Sequence, residues 1–428
     1  MSSSPPSPAS APADAAPLLS RPAGRFPIPL NELALVLAIA LVFVLTGLVD
    51  RNHTYFKNFD TSFVIILRNT VLLGIIALGA AVIIIAGGID LSAGSMVAFS
   101  ATTCALILVL FAQPDDKRLL TVGPVGVTCA IGGGILSGFL VGTLHTWLIT
   151  AIRLPPFVAT LATLVGLRSF ARAMCEFVTT QRWGSQYQQV NVNTPAFIYI
   201  KEHLWVATTV FAVLAMVTWV ILSRTVLGRH LYALGGNEQA ARLSGIRTEN
   251  VKWFAYCFGA MTASIAGIFA MADGSVAQPV NLARGYELNA IAAAVVGGCS
   301  LQGGVGTVTG TILGALFLRL VIDAVAKLIK AGADVYEGMI VGVVVVLAVT
   351  LTQVRQLIQS GREFFPGVRG MVAIPTLAVI AGLLAMMGSA NVEVAKGKSV
   401  GFGVVVGVVM LAVLCAVKAI EVRRHASK

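Results

Sequence analysis

The sequence predicts an all-α membrane protein: a polytopic helical bundle of about ten core transmembrane helices with an added C-terminal helical hairpin. Three observations carry this. Of 428 residues, 57% are hydrophobic and only 11% are charged, against roughly 25% charged in soluble domains. Apolar runs long enough to span a bilayer recur along the whole chain. Glycine-rich breaks interrupt two of them, and broken helices are tolerated at membrane depth only where the freed backbone is buried or lines a cavity.

Residues 1–24, rich in Ser, Pro and Ala, cannot form a core. They head an expected disordered cytoplasmic tail over 1–30, which lacks the order of a secretory signal. Apolar runs then lie near 31–49, 68–87, 92–112, 121–150, 156–177, 204–223, 252–272, 286–298, 304–327 and 337–353, with two more near 371–389 and 400–419. The 286–298 run is short and ends in "GGCSLQGG", so it reads as a half-span. The net charge of +11 collects in the 224–252 loop, the 354–370 loop and the C-terminal end. With both termini in the cytoplasm, all three fall on the cytoplasmic side, as the positive-inside rule asks. Trp205 and Trp219 bracket one span as interfacial anchors. Nothing in the basic residues suggests nucleic-acid binding, so lipid is the expected surroundings.

Gly134, Gly138 and Gly142 share one helix face, and Gly306, Gly310 and Gly314 another. Such faces let helices approach closely in lipid. In "AGGIDLSAGS", Gly87 and Gly88 end one helix and Ser92 is placed to cap the next. Asp90 is costly to bury in lipid, so it either accepts hydrogen bonds at the second helix start or contacts a substrate with Ser92 and Ser95. "GGIDLSAG" (87–94) lines up with "GGCSLQGG" (297–304), which sets Gly297 and Gly298 opposite Gly87 and Gly88. Paired breaks in an internal repeat point to a transport path at the repeat interface. Ser300 and Gln302 fall in the second copy. In "ARGYELNAIAAAVVGG", Arg284, Glu287 and Asn289 serve as interfacial anchors or as part of the path. Arg319 and Asp323, four apart, read as a structural pair. The sparse acids within spans disfavour an ion-coupled carrier.

No metal cluster, disulfide framework or nucleophile arrangement is evident, so neither an enzyme nor a cofactor is expected. There is no phosphate-binding loop: the fragment "GKS" at 397–399 has Val392 where the first glycine belongs. The energy source must then be a partner. In the 224–252 loop, Glu238 to Leu243 predicts a short helix, with Asn237 as its cap and Gly245 as its stop. An exposed helix of this kind docks into grooves on partners.

"AGGIDLSAGS", "RLPPFVATLAT", "LGRHLYALGGNEQAARLSGI" and "GYELNAIAAAVVGGCSLQGGVGTVTGTILGAL" resemble the membrane permease of monosaccharide ATP-binding-cassette importers of the ribose/xylose type. The resemblance covers about residues 31–353. It implies a homodimer in the cytoplasmic (inner) membrane of a prokaryote, energised by a separate cytoplasmic ATPase and fed by a periplasmic or extracellular sugar-binding protein. It implies that the loop carrying Gly236, Asn237, Glu238, Ala241, Arg242 and Gly245 touches the ATPase, and that "GGIDLS" lies near the translocation path. Residues 354–428 exceed the family pattern and read as an extra transmembrane hairpin. Related permeases for branched-chain amino acids or nucleosides, and an ion-coupled secondary transporter, are the alternative readings.

Overall fold

The computed structural model describes residues 30–50, 53–328, 367–390 and 399–426, with isolated positions between 338 and 365. The N-terminal tail lies outside the described residues, as does most of the 337–353 span. In chain order the helices are α1 (Leu30–Val49), α2 (Thr54–Lys57), α3 (Phe59–Ile85), α4 (Ala93–Phe111), α5 (Pro124–Thr150) and α6 (Pro156–Trp183). After a two-residue strand β1 (Val190–Asn191) come α7 (Pro195–Glu202), α8 (Leu204–Arg224), α9 (Val226–Gly236), α10 (Glu238–Leu243) and α11 (Thr248–Gly274). Strand β2 (Val276–Ala277), α12 (Tyr286–Val296), α13 (Val308–Leu328), α14 (Gly367–Ala390) and α15 (Ser399–Ala426) complete the order. Among the described residues, ten helices are long and apolar enough to cross a membrane; α12, with 11 residues, is not. The protein is an all-α polytopic membrane protein, because in hydrocarbon a spanning helix satisfies its own backbone groups.

Burial sorts the helices into layers. In α3, α4 and α11 most of the apolar window is buried, whereas α1 and α8 bury only 11% of theirs. The first three form the centre. α5 packs on α4 and α11 through its glycine face: a methyl at Gly138 would stand 2.7 Å from the Ala260 carbonyl oxygen, and one at Gly142 2.5 Å from Cys257 Cα. Small residues here replace the hydrophobic drive that lipid does not supply.

The two ends of the bundle differ. One carries α7 and the antiparallel β1–β2 pair, with Val190 opposite Ala277. There Arg182 donates to the Ala112 carbonyl (2.6 Å) and Thr194 to that of Leu119 (2.7 Å). The connection from α4 to α5 is pinned by Asp116. Slight burial pushes its carboxyl up, but hydrogen bonds from the Thr121 hydroxyl and amide (both 2.7 Å) prevail and hold it below the ordinary range. The other end carries α9, α10 and both glycine breaks.

Three sequence expectations need correction. Helix α3 ends with Gly87 N–H donating to Ile84 O and Gly88 N–H to Ile83 O; α12 ends with Gly298 N–H donating to Val295 O and Cys299 N–H to Ala294 O, all 2.9 Å. Gly87 (φ 80°) and Gly298 (φ 98°) hold the left-handed position of this cap. The structural repeat therefore pairs Gly87 with Gly298, one residue out of the 87–94/297–304 alignment. Gly297 is the cap residue of α12 and keeps right-handed dihedrals, and it is small because Gly310 packs on it: a methyl at Gly297 would stand 2.7 Å from Thr311 N. Second, Gly306 is not on the face of α13. Thr307 accepts from Gly310 N–H (3.0 Å) and starts that helix at Val308. Gly310 and Gly314 keep their place against Gly297 and Ala293. Third, Ser92 sits at the cap of α4 without a side-chain capping bond, because its hydroxyl donates to Asp90 instead (2.6 Å).

The C-terminal hairpin is present as α14 and α15, which pack on each other through Gly382, Gly403 and Gly407; a methyl at Gly382 would lie 2.9 Å from Gly403 O. Asp323 pairs with Lys327 (3.2 Å) and accepts from Tyr55 (2.7 Å), while the Arg319 guanidinium lies 4.7 Å from the centre of the Tyr286 ring.

Candidate functional site

The first break turns about Asp90. Its Oδ1 accepts the Ser92 amide (2.7 Å) and the Ser92 hydroxyl, so the carboxylate braces the start of α4 from two residues before its cap. Three other helices hold this turn. Leu91 N–H donates to Thr160 Oγ1 on α6 (3.2 Å). The Tyr256 ring of α11 presents its hydroxyl to Gly88, where a methyl would lie 2.5 Å away. His145 on α5 packs against the Tyr256 ring at 6.2 Å and 71°. The Thr163 hydroxyl already donates to Thr160 O (3.0 Å), so His145 Nε2 is the donor in the 2.7 Å contact between them. His145 Nδ1 and Tyr256 Oη have no hydrogen-bond partner among the described residues.

The second break meets the first at the end of α9. Gly304 N–H donates to the Ile85 carbonyl (2.9 Å). Gly235 lies across this bond: a methyl there would overlap Ile85 O and stand 2.5 Å from Gly304 N. A methyl at Gly303 would lie 2.6 Å from Gly235 O and 2.9 Å from Gly87 Cα. Tyr232, one turn back on α9, donates to Gly306 O (2.8 Å). Three segments far apart in sequence thus touch backbone to backbone, and only glycine allows that approach.

Helix α10 follows at once. Asn237 accepts from Ala240 N–H (3.0 Å) and caps it. Gly245, at φ 84°, ends it, with Gly245 N–H donating to Arg242 O and Ile246 N–H to Ala241 O. Both expectations for this helix are met. Ala241 is buried, while Gly236, Glu238, Arg242 and Gly245 are exposed and Leu243 is 91% exposed. Glu238 pairs with Lys252 on α11 (2.6 Å), which ties α10 to the central layer.

The half-helix α12 is held by Arg168 of α6, which donates to the carbonyls of Val280, Leu282 and Ala283 at 3.0–3.2 Å. Glu287 extends toward Gly94 in the first turn of α4, and its Oε2 has no hydrogen-bond partner among the described residues. Asn289, two residues along, is buried.

The expected path residues separate into two groups. Asp90, Ser92, Ser95 and Asn289 are each at most 5% exposed; Ser95 donates to Leu164 O (2.6 Å). They are interior groups, and Asp90 and Ser92 hydrogen-bond each other within the first break. Ser300 and Gln302 lie in the second break beside α9, where Ser300 Oγ accepts Gln302 N–H (3.3 Å) and Gln302 is exposed. His145, Tyr256, Arg168, Tyr232 and Gly235 were missed. His145 and Arg168 carried a signal, each being an ionisable residue inside an apolar run. Among the described residues no cluster of His, Cys, Asp and Glu could hold a metal.

Apolar crossing helices and two glycine breaks that meet at the end of α9 make a polytopic bundle of the kind that membrane transporters use. Residues 62–349 match the family model described as "Branched-chain amino acid transport system / permease component". The chain belongs to this permease family, and it is a multi-pass inner-membrane protein. It is 35% identical over 314 residues to the autoinducer 2 import system permease protein LsrC of Yersinia pestis (strain Pestoides F), covering 71% of this chain and 81% of the relative. It is 31% identical over 332 residues to the ribose import permease protein RbsC of Escherichia coli (strain K12), covering 75% and 93%. No solved structure matches.

Proposed function

We infer that this chain is the membrane-spanning subunit of an ATP-binding-cassette importer for a monosaccharide, energised by a separate cytoplasmic ATPase. The observation that carries the reading is the backbone contact of α9 with both helix breaks, one residue before a rigidly capped and exposed α10. A push on α10 reaches the breaks through glycine backbones with no flexible side chain between. The relative named for ribose import favours a sugar over an amino acid.

The basic 224–252 loop and the charge of the C-terminal end support an orientation with α10 and both termini in the cytoplasm. The end bearing α7 and β1–β2 then receives sugar from a periplasmic or extracellular binding protein. Residues 31–353 form the permease unit and 354–428 an added hairpin. Asp90, Ser92, Ser95, Glu287 and Asn289 shape the break beside the path, and Gly236 to Gly245 contact the ATPase. Two copies of the chain provide the two docking helices that a symmetric ATPase pair needs.

The test is assembly. The chain, purified in detergent with its ATPase, should elute in light scattering with the mass of two permeases and two ATPases. A permease that elutes free of ATPase at micromolar concentration would overturn the reading.

A further inference from the structure

Both α6 and α8 are largely exposed and largely apolar there, but α6 adds a polar stripe. The bare residues of α8 include Trp205, Val213, Met216 and Val217, a surface that acyl chains solvate. The bare residues of α6 include Ser169, Arg172 and Thr180, with Glu176 partly exposed beside them. Arg172 Nε donates to Glu176 Oε1 (2.8 Å), and their side chains are 46% and 28% exposed. Spacings of three and four place Ser169, Arg172 and Glu176 on one face.

Their depth follows from the end of the helix. Arg182 hydrogen-bonds the Ala112 carbonyl, level with the last residue of α4, Phe111. At 1.5 Å per residue, Glu176 lies about 9 Å and Arg172 about 15 Å further in. In a hydrocarbon core about 30 Å thick, Arg172 stands near the middle. Ionisable side chains at that depth face the bundle interior or a water-filled cavity. These face neither the interior of this chain nor, at that cost, lipid.

We propose that the Ser169–Arg172–Glu176 face of α6 lines the aqueous passage of the transported sugar, and that the Arg172–Glu176 pair is its hydroxyl-binding site. The ion pair uses one donor and one acceptor. The remaining guanidinium N–H groups and the second carboxylate oxygen have no partner among the described residues, and adjacent sugar hydroxyls need such a donor and acceptor side by side. Exposed Phe170 and Phe177 on the neighbouring stripe offer ring faces to the sugar C–H groups. The buried Asp90, Ser92, Ser95 and Asn289 cannot make such contacts without the break opening. The proposal rests on the sugar-importer reading for the ligand, but not for the presence of water.

The test places cysteine at Ser169 (S169C), and at Val213 (V213C) as a lipid-facing control, in the full chain with the exposed Cys129 and Cys415 changed to serine. Both are probed in ATPase-bound vesicles with a membrane-impermeant charged thiosulfonate. S169C should react at least tenfold faster than V213C, and ribose delivered by the binding protein should slow it several-fold. Reaction of S169C no faster than that of V213C would overturn the passage, whether lipid or a second copy of the chain covers the face. Fast reaction with no protection by ribose, in vesicles that accumulate ribose, would overturn the binding site. Glu176→Gln should raise the KM for uptake about tenfold. An unchanged KM would also overturn the pair's role as the binding site. Vesicles that react at S169C but accumulate no sugar would instead count against the importer reading and leave the passage standing.

Discussion

Replacing Gly235 with Ala tests the joint between α9 and the two breaks. The added methyl overlaps the Ile85 carbonyl oxygen and stands 2.5 Å from Gly304 N, inside the 2.9 Å hydrogen bond that joins the breaks. Overpacking of a tight interior costs roughly 1–3 kcal/mol. Parting a buried donor from its acceptor costs about 1–3 kcal/mol more. The sum, about 2–6 kcal/mol, weighs only on the conformation in which the three segments touch. Even the lower figure shifts a two-state equilibrium about thirtyfold. Helix α10 keeps its Asn237 cap and its exposed face. Gly235→Ala should therefore bind the ATPase as the parent does and hydrolyse ATP, while sugar moved per ATP falls at least tenfold. Tyr232→Phe, which removes the bond to Gly306 O, should shift coupling in the same direction by a few-fold, in keeping with about 1 kcal/mol. The assay is radiolabelled uptake beside phosphate release in the same vesicles, with thermal unfolding as the control for damage. A parental transport-to-hydrolysis ratio in Gly235→Ala would refute the joint.

Other substitutions separate bracing from charge and docking from transport. Asp90→Asn keeps an oxygen for the Ser92 amide and should retain more uptake than Asp90→Ala; equal and complete loss in both, with the protein folded and inserted, would show that the charge itself is required. Arg242→Glu alters the exposed face of α10 and should lower ATPase co-purification and uptake together; full co-purification with parental transport would remove α10 from the mechanism. Removal of 367–428 takes away a hairpin whose helices pack chiefly on each other; assembly and uptake should persist, and loss of subunit association would place the hairpin in the dimer interface.

The spans within the described residues, the half-length of α12 and both ends of α10 were legible in the sequence, because each rests on local chemistry: apolar length, a capping Asn, a left-handed Gly. The register of the repeat was not. Both "GG" pairs look alike in sequence, yet one occupies the left-handed turn and the position after it, while the other begins a residue earlier because Gly297 must admit Gly310. The meeting of Gly87, Gly235 and Gly303 was likewise invisible, since nothing local to any of the three marks the others. Polarity in the breaks drew attention to Asp90, Ser92 and Ser95, but the sequence does not say which way a residue faces. These turned inward, and the exposed ion pair lay on α6.

The most direct measurement compares energy sources in one preparation. Vesicles holding the permease, its ATPase and its sugar-binding protein are given ATP, then a hydrolysis-deficient ATPase with ATP, then a proton or sodium gradient alone. Sugar should accumulate only with the competent ATPase and ATP. Accumulation driven by the gradient in the absence of hydrolysis would contradict an importer moved through α10.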